Sequence, residues 1–141
     1  MGETENIGVV RRIEDAHNSG ALDSLDELIA ADVVAHTPGS EMMPPGLEGV
    51  KAASAGGKQT FPDGHGEVVD AFGEGDKVVA RIHFTGTNRG GVPWAGIPAN
   101  DMPVDFESVV MFRLEGGKVV ETWAQMEIPK MMMQLGAMPG M

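Results

Sequence analysis

Residues 103–126 read PVDFESVVMFRLEGGKVVETWAQM, two runs of alternating character that meet at Glu115-Gly116-Gly117. Valine, phenylalanine, threonine and tryptophan suit a pleated, half-buried surface, and a Gly-Gly pair between two such runs is a hairpin signal. The stretch therefore predicts two long antiparallel strands joined by a tight turn.

A second strand pair is predicted immediately upstream. EVVDAFGEG (67–75) and DKVVARIHFTGTN (76–88) meet at Gly73-Glu74-Gly75-Asp76, another hairpin signal. The loop RGGVPWAGIPAND (89–101) separates the two pairs and is rich in Gly and Pro. The second half of the chain is therefore predicted to be a meander of four antiparallel strands.

The first half of the chain is predicted to be mainly helical, because Ile7, Val10 and Ile13 recur at helical spacing. The predicted elements are helices over 4–18, 23–30 and 47–59 and a short strand, DVVAH, over 32–36. Helices followed by an antiparallel meander are typical of an α+β domain. We expect one domain over residues 1–141, with a frayed tail at 137–141.

Strand alternation assigns the two faces of the sheet. The residues predicted to face inward are Ala80, Ile82, Phe84, Phe106, Ser108, Val110 and Phe112. Arg81, His83, Glu107 and Arg113 then share the outer face, where opposite charges on neighbouring strands attract modestly. Val109 and Met111 lie on that face too, and such apolar patches are often covered by a partner, so we expect a homodimer.

The composition excludes several classes of function. The formal net charge of −11 argues against nucleic acid and against anionic membrane surfaces as partners. The chain has neither cysteine nor tyrosine, so thiolate metal sites, Cys nucleophiles and phenol donors are excluded. We see no apolar leader in MGETENIGVVRR (1–12) and expect a cytoplasmic protein.

Seven segments carry a resemblance to a known family. They are VVRRIEDAHNSGALDSLDELIAADVVAHTPG (9–39), PGLEGVKA (45–52), FPD (61–63), GDKVVARIHFTGTNRG (75–90), GIPA (96–99), FRLEGGKVVETW (112–123) and QLG (134–136). In this order, over about residues 6 to 136, the chain resembles the SnoaL-like polyketide cyclases. That family belongs to the nuclear-transport-factor-2-like superfamily of cone-shaped α+β barrels.

The resemblance implies N-terminal helices packed on a curved antiparallel sheet that encloses an apolar pocket. It also implies an intramolecular aldol cyclisation of a polyketide-like, polycyclic aromatic substrate in antibiotic biosynthesis, with no metal and no organic cofactor. Such a reaction needs one group that removes a proton beside a carbonyl and donors that hold the resulting enolate. In the family the base is an aspartate of the last strand, and its position falls at Ala124 or Gln125 here. A histidine of the preceding strand falls near Val110.

Two other residues are therefore predicted to be catalytic. Glu127 is the leading base, because a carboxylate among Trp and Met side chains would have a raised pKa. His36, at the end of DVVAH, is predicted to assist as base or donor. The alternatives are that Glu127 caps the following helix or lies in solvent, and that His36 bonds to the turn that follows it. His17 and His65 are predicted to be structural or solvated.

The predicted substrate-binding residues are polar groups that could orient a carbonyl, aromatic platforms for a flat ring system, and apolar wall residues. They are Asn88, Ser108 and Gln125; Trp94 and Trp123; and Phe84, Val110 and Met133. Two rival functions stay open. One is a homologue with altered chemistry, such as a hydroxylation partner, an isomerase or a hydrolase, and the other is a non-catalytic module that binds small molecules.

Overall fold

The computed structural model describes residues 2–137 as three α-helices, three short 3₁₀ segments and five strands. The helices are α1 (Glu3–Ser19), α2 (Leu47–Thr60) and α3 (Ile128–Gln134), and the 3₁₀ segments are Leu22–Glu27, Ser40–Met42 and Pro93–Ala95. The strands are β1 (Ile29–His36), β2 (His65–Glu74), β3 (Lys77–Thr87), β4 (Pro103–Glu115) and β5 (Lys118–Met126). The predicted α+β class is confirmed.

Most predicted elements are present within one or two residues of their expected ends. The helix predicted over 23–30 is wrong: a 3₁₀ segment covers Leu22–Glu27, and β1 already begins at Ile29. Asp23 and Asp26 favour turn conformations over helix interiors, which suits the shorter segment. The predicted tail at 137–141 lies outside the described residues apart from Ala137.

The helix α1 covers the sheet with one apolar stripe. Val9, Val10, Ile13 and Ala16 are buried at the helical spacing that the sequence predicts. Acidic residues occupy the first turn, where they complement the helix dipole, and the helix ends at Gly20, whose φ of 75° is left-handed. The contacts of α1 with β2 and β3 fix the stripe against the sheet.

The five strands form one curved, unclosed sheet in the order β1-β5-β4-β3-β2. Strand β1 runs parallel to β5, and the other pairings are antiparallel. Gly116 and Gly117 make the predicted turn between β4 and β5, with φ values of 59° and 82°. Such left-handed angles are strained for residues that carry a Cβ, so the Gly-Gly pair determines where the hairpin folds.

The predicted faces of β3 and β4 are confirmed. Val78, Ala80 and Phe112 are buried on the inner face. On the outer face, Arg81 donates to the Glu107 carboxylate at 2.7 Å. Register continues this alternation into β5, where Ala124 lies opposite Val110 on the inner face.

Two groups of apolar side chains form the interior of the described chain. The larger one lies under α1 and includes Leu25, which is fully buried; truncating such a leucine to alanine costs about 2–5 kcal/mol. The smaller one lies between the sheet end, the 88–102 loop and α3, and includes Phe61, Phe106 and Met131. Among residues 2–137, no helix has the length and hydropathy needed to cross a membrane.

Candidate active site

A cavity of about 200 Å³ lies between α1, α2 and the inner face of the sheet. Its wall is formed by Glu14, His17 and Asn18 of α1, Ser54, Gly57 and Lys58 of α2, Phe61 and Gly64 after α2, and Phe84 of β3. It therefore combines an acid, an imidazole, a hydroxyl and an amine with two aromatic rings. Cavities that mix convergent polar groups with an apolar wall are the usual place for a small-molecule site.

Glu14 is the carboxylate of this cavity. It lies one turn beyond the buried Val10 on α1 and is itself largely buried, and no hydrogen bond or ion pair joins it to another side chain in residues 2–137. Burial, reinforced by the nearby negative charge of Asp15, raises the pKa of Glu14 above its ordinary value. A raised pKa brings a carboxylate closer to the range in which it can act as a base and then as an acid near neutrality.

The chain leaves room for this carboxylate by means of a glycine on the facing strand. A Cβ at Gly66 of β2 would overlap Glu14 Oε1. The amide of Asn18 fixes the same point, because its Oδ1 accepts from the Gly66 N–H at 2.8 Å and its Nδ2 donates to the Gly66 carbonyl at 2.8 Å. Glu14 is thus seated against a strand that α1 holds in place.

His17 lies one turn beyond Glu14 on α1 and faces the same cavity. Its Nδ1 and the Ser54 Oγ are 2.8 Å apart, which connects α1 to α2. Burial lowers the pKa of His17, so the ring is neutral at pH 7. When Ser54 donates to Nδ1, Nε2 carries the ring proton, and no residue of 2–137 accepts it. The neutral ring can therefore donate a hydrogen bond to a bound molecule.

Aromatic rings form the apolar part of the wall. Phe61 and Phe84 meet edge to face with centroids 5.4 Å apart, and Phe84 continues to Phe106 at 5.3 Å. Each such pair contributes about 0.5–1.5 kcal/mol beyond the area it buries. The wall is therefore a rigid apolar surface beside the two titratable groups.

The predicted catalytic base, Glu127, lies on the other side of the sheet. It precedes α3, is exposed, and its Oε1 accepts from the Glu107 N–H at 2.7 Å. The Lys130 ammonium is 4.0 Å away. One alternative for Glu127 was that it caps the following helix. Glu127 does precede α3, but its side chain accepts from the β4 backbone and makes no capping hydrogen bond to α3.

The predicted partner, His36, also lies on the outer face. Its Nε2 is 2.8 Å from the Glu121 carboxylate, and its ring stacks on Trp123 with centroids 5.5 Å apart. Arg113 bonds to the other Glu121 oxygen at 3.2–3.3 Å. Hydrogen bonding to His36 and Arg113 lowers the pKa of Glu121. His36 thus has its hydrogen-bond partner in an exposed ion-pair network, and the turn after β1 is not that partner.

The predicted binding residues are divided among the cavity, the two faces of the sheet, the 88–102 loop and α3. Phe84 lines the cavity, and Ser108 and Val110 lie on the inner face of β4 beyond its wall. Trp123 and Gln125 face outward, opposite Met111 and Val109. The structure therefore does not bring Trp123 or Gln125 to the face that holds Phe84.

The remaining predicted binding residues lie in the 88–102 loop and in α3. Asn88 is fully buried, its Oδ1 accepts from the Gly91 N–H, and its Nδ2 donates to Pro98 and Asn100 oxygens. These bonds use the whole amide to shape the loop. Trp94 is 62% exposed and Met133 is 47% exposed. Neither lines the cavity.

Glu14 and His17 are the residues that sequence reasoning placed outside the site. Val10, Ile13, Glu14 and His17 share one helical stripe at intervals of three and four, so both polar side chains flank the buried edge of α1. Their position beside the buried stripe was the sequence signal that could have placed them in the cavity. His65, which was expected to be structural or solvated, is exposed at the start of β2.

The structure defines an α+β protein with a small cavity under its N-terminal helices, and sequence comparison identifies the family. The profile of the SnoaL-like polyketide cyclases matches residues 7–135, and the chain belongs to that family. A search of the curated proteins finds no significant match.

Solved structures of similar fold agree with this assignment. TsrD from Streptomyces laurentii is 27% identical, with a TM-score of 0.88 over 98% of this chain and 99% of that chain. IdmH from Streptomyces antibioticus, described as a proposed polyketide cyclase, is 32% identical, with a TM-score of 0.81 over 93% and 98%. AclR from Streptomyces galilaeus, described as a proposed hydroxylase, is 25% identical, with a TM-score of 0.83 over 98% and 100%.

Proposed function

We propose that this protein is a cofactor-independent acid/base enzyme that closes a ring of a hydrophobic, polyketide-like substrate by an intramolecular aldol reaction. The observation that carries the proposal is that Glu14 and His17 line one cavity and that burial moves their pKa values in opposite directions. Burial thus shifts each group toward its neutral form, and perturbed titratable groups that share a cavity are candidates for an acid/base site.

Glu14 would act as the base. Its carboxylate removes a proton from a carbon beside a carbonyl of the substrate, so that a C–H bond breaks, an O–H bond forms on Glu14, and the electron pair moves into an enolate. The neutral His17 donates its Nε2 proton in a hydrogen bond to the enolate oxygen, as a preorganised donor should. The enolate carbon then attacks a second carbonyl of the same molecule, and the resulting alkoxide recovers the proton from Glu14.

The size of the cavity limits which part of the substrate it holds. Sites for drug-sized ligands have volumes of roughly 300–1,000 Å³. A cavity of about 200 Å³ holds only the reacting end of a polycyclic substrate, beside Phe61 and Phe84. We therefore expect the remaining rings to lie outside the cavity.

Among residues 2–137, no group of three or more His, Cys, Asp or Glu side chains could hold a metal ion. The family aspartate falls at Ala124 or Gln125 and the family histidine near Val110; Ala124 and Val110 form an apolar pair on the inner face, and Gln125 lies on the outer face. A base is thus needed elsewhere in the fold, and Glu14 meets that need. The catalytic roles of Glu127 and His36 stay predictions, and substitution of each residue tests them.

The test compares two glutamates that are changed in the same way. Wild type, Glu14→Gln and Glu127→Gln are each incubated in deuterated water with anthraquinones that carry a β-keto ester side chain. Deuterium uptake beside the ketone and ring closure are followed by mass spectrometry. We expect Glu14→Gln to lose about 10²–10⁴-fold in rate and Glu127→Gln to retain the wild-type rate.

The opposite result, a loss of rate confined to Glu127→Gln, would place the catalytic base on the outer face of the sheet.

A second candidate function is a non-catalytic binding module, which the apolar Val110–Ala124 pair favours. Saturable binding of these ligands by the wild type without deuterium uptake or ring closure would identify that function. The similarity to AclR, described as a proposed hydroxylase, suggests hydroxylation as a further altered chemistry; with dioxygen supplied as the oxidant, the same spectra would show it as a mass gain of one oxygen.

We also propose a homodimer through the outer face of the sheet. Val34 and Val109 are 51% and 45% exposed there. They lie among paired charges such as Arg81–Glu107, a mixture typical of non-obligate interfaces. Light scattering after size-exclusion chromatography tests it: we expect a dimer mass for wild type and a monomer mass for Val109→Glu, and a monomeric wild type would contradict it.

A further inference from the structure

Lys58 is the basic side chain of the cavity wall. It lies in the last turns of α2, one turn beyond Ser54, and its Nζ donates to the Gly64 carbonyl at 2.9 Å. An ammonium group has three N–H donors, so this bond leaves two for another acceptor. The side chain is half-buried, which strengthens any charge-assisted hydrogen bond that it makes.

The charge of Lys58 is not neutralised within the described chain. Lys51 pairs with Asp26 at 2.7 Å and Lys77 with Asp76 at 3.8 Å, whereas Lys118, which is exposed, donates to the Asp26 backbone carbonyl at 3.0 Å. Within residues 2–137, no carboxylate oxygen lies within 4.0 Å of the Lys58 ammonium, and this includes Glu14 of the same cavity. In a chain with 21 acidic and 10 basic residues, a partly buried amine without an acidic partner is an unusual feature.

We propose that the molecule bound in this cavity carries a carboxylate and that the Lys58 ammonium binds it. The inference rests on the proposed function, since it names the class of substrate that the same cavity takes. The carboxylate would accept the two free N–H donors of Lys58 and supply the negative charge that the described protein does not.

The position of Lys58 also orients the substrate. Ser54 and Lys58 are four residues apart on α2, about 6 Å along the helix axis, and Ser54 holds the ring of His17. A carboxylate on Lys58 would therefore direct the rest of the bound molecule into the cavity that His17 and Glu14 line. Phe61, which follows α2, supports the flat face of that ring.

The experiment measures binding of two ligands that differ in charge alone: a dihydroxyanthraquinone carboxylate and its methyl ester. Isothermal titration calorimetry at pH 7 and low salt is applied to wild type, Lys58→Met and Lys58→Gln. The control is Lys130→Met, which changes net charge equally but lies on α3 outside the cavity. Lys58→Gln keeps an N–H donor for the Gly64 carbonyl but removes the charge. It therefore separates the effect of the lost charge from that of the lost hydrogen bond to Gly64.

We expect wild type and Lys130→Met to bind the carboxylate about tenfold more tightly than the ester, the effect of one charge-assisted hydrogen bond. Both Lys58 variants should bind the two ligands equally. The preference in wild type should also shrink at high salt, which needs no variant.

Three results would overturn the inference, and they are distinguishable. Equal or tighter binding of the ester by wild type would remove the carboxylate but leave the proposed function standing. If both Lys58 variants still preferred the carboxylate to the ester, a group other than Lys58 would be the one that binds the carboxylate. Failure of wild type to bind either ligand would contradict the proposed function itself, and this inference with it.

Discussion

A glutamate and a histidine are found on each side of the sheet, yet the two pairs differ in their surroundings. On the outer face, His36 and Glu121 lie 2.8 Å apart, and Arg113 supports the same carboxylate. In the cavity, Glu14 has no hydrogen-bonding side chain among the described residues, and His17 is bonded to Ser54 through one nitrogen. Side-chain types alone therefore do not distinguish the two places.

The difference lies in hydration and pairing. Hydrogen bonds to partners lower the pKa of Glu121, which keeps it ionised and inert as a proton acceptor near neutrality. Burial raises the pKa of Glu14 and lowers that of His17, so that both groups are shifted toward their neutral forms. The cavity thus retains groups that are costly for folding and useful for chemistry, a known relation between stability and activity.

Apart from Glu14→Gln, replacing the cavity histidine should have the largest effect. We expect His17→Ala to reduce the ring-closure rate by about 10²–10³-fold, the usual loss when a preorganised oxyanion donor is removed. His17→Gln should restore part of the rate, because it retains an N–H donor, and His36→Ala should leave the rate unchanged. Rates on the β-keto ester substrates measure all three, and a matching loss in His36→Ala would erase the contrast between the two faces.

The substitution Gly66→Ala, which adds a methyl group to the strand facing Glu14, should have the next largest effect on the ring-closure rate. The added Cβ of Gly66→Ala overlaps Glu14 Oε1, the end of a flexible side chain, so the carboxylate moves and the fold survives. We expect a rate loss of about tenfold or more from this misplacement, with a small change in melting temperature.

Gly56→Ala on α2 is the matched control, since a Cβ there meets nothing within 4 Å. It should leave the rate unchanged and raise stability by roughly 0.5–1 kcal/mol through helix propensity. Unchanged turnover in Gly66→Ala would mean that the position of Glu14 does not matter.

The stability of Glu14→Gln should depend on pH with a definite sign. The native pKa of Glu14 is raised, so the ionised carboxylate destabilises the fold above that pKa. The neutral variant should therefore be more stable than wild type by about 1 kcal/mol at neutral pH, and the gain should fade as pH falls through the native pKa and vanish below the ordinary value of 4.5. Urea unfolding across this range measures it. A variant less stable than wild type at neutral pH would assign Glu14 a structural role.

The outer-face carboxylate should show the smallest effect, with the opposite sign. The native pKa of Glu121 is lowered by its bonds to His36 and Arg113, so its contribution to stability is present above 4.5 and is lost as pH falls through the native pKa. Glu121→Gln should therefore be slightly less stable than wild type at neutral pH and equal to it in acid. The same urea series measures it, and a gain in stability at neutral pH would contradict the contrast.

The fold was predictable because its signals are local and agree with each other. The Gly-Gly turn and the alternation of β3 and β4 fix the hairpins and the two faces, and the stripe of Val10 and Ile13 fixes the side that α1 buries. The 3₁₀ segment was missed because four acidic or polar residues resemble a helix start there, while Leu25 is buried by contacts that come from far along the chain.

The candidate site was less predictable because it depends on which elements converge. Trp123 and Gln125 alternate correctly with Ala124, but a sequence does not tell which parity of β5 faces α1. The helical pattern alone places Glu14 among the solvent-facing residues of α1, and only the fold shows that β2 brings Gly66 against it. Asn88 has the chemistry of a binding residue, yet the loop that it closes uses all of its hydrogen bonds.

The most direct test of the cavity account is an NMR titration of the protein with carboxyl-labelled glutamate and ring-labelled histidine. Spectra of Glu14→Gln, His17→Gln and Glu121→Gln assign the signals. The account predicts that Glu14 titrates above 4.5, Glu121 below 4.5, and His17 below 6.5. If Glu14 titrated together with Glu121 and His17 titrated at its ordinary value, the cavity would not shift the pKa of its acid or of its imidazole, and the central claim would be contradicted.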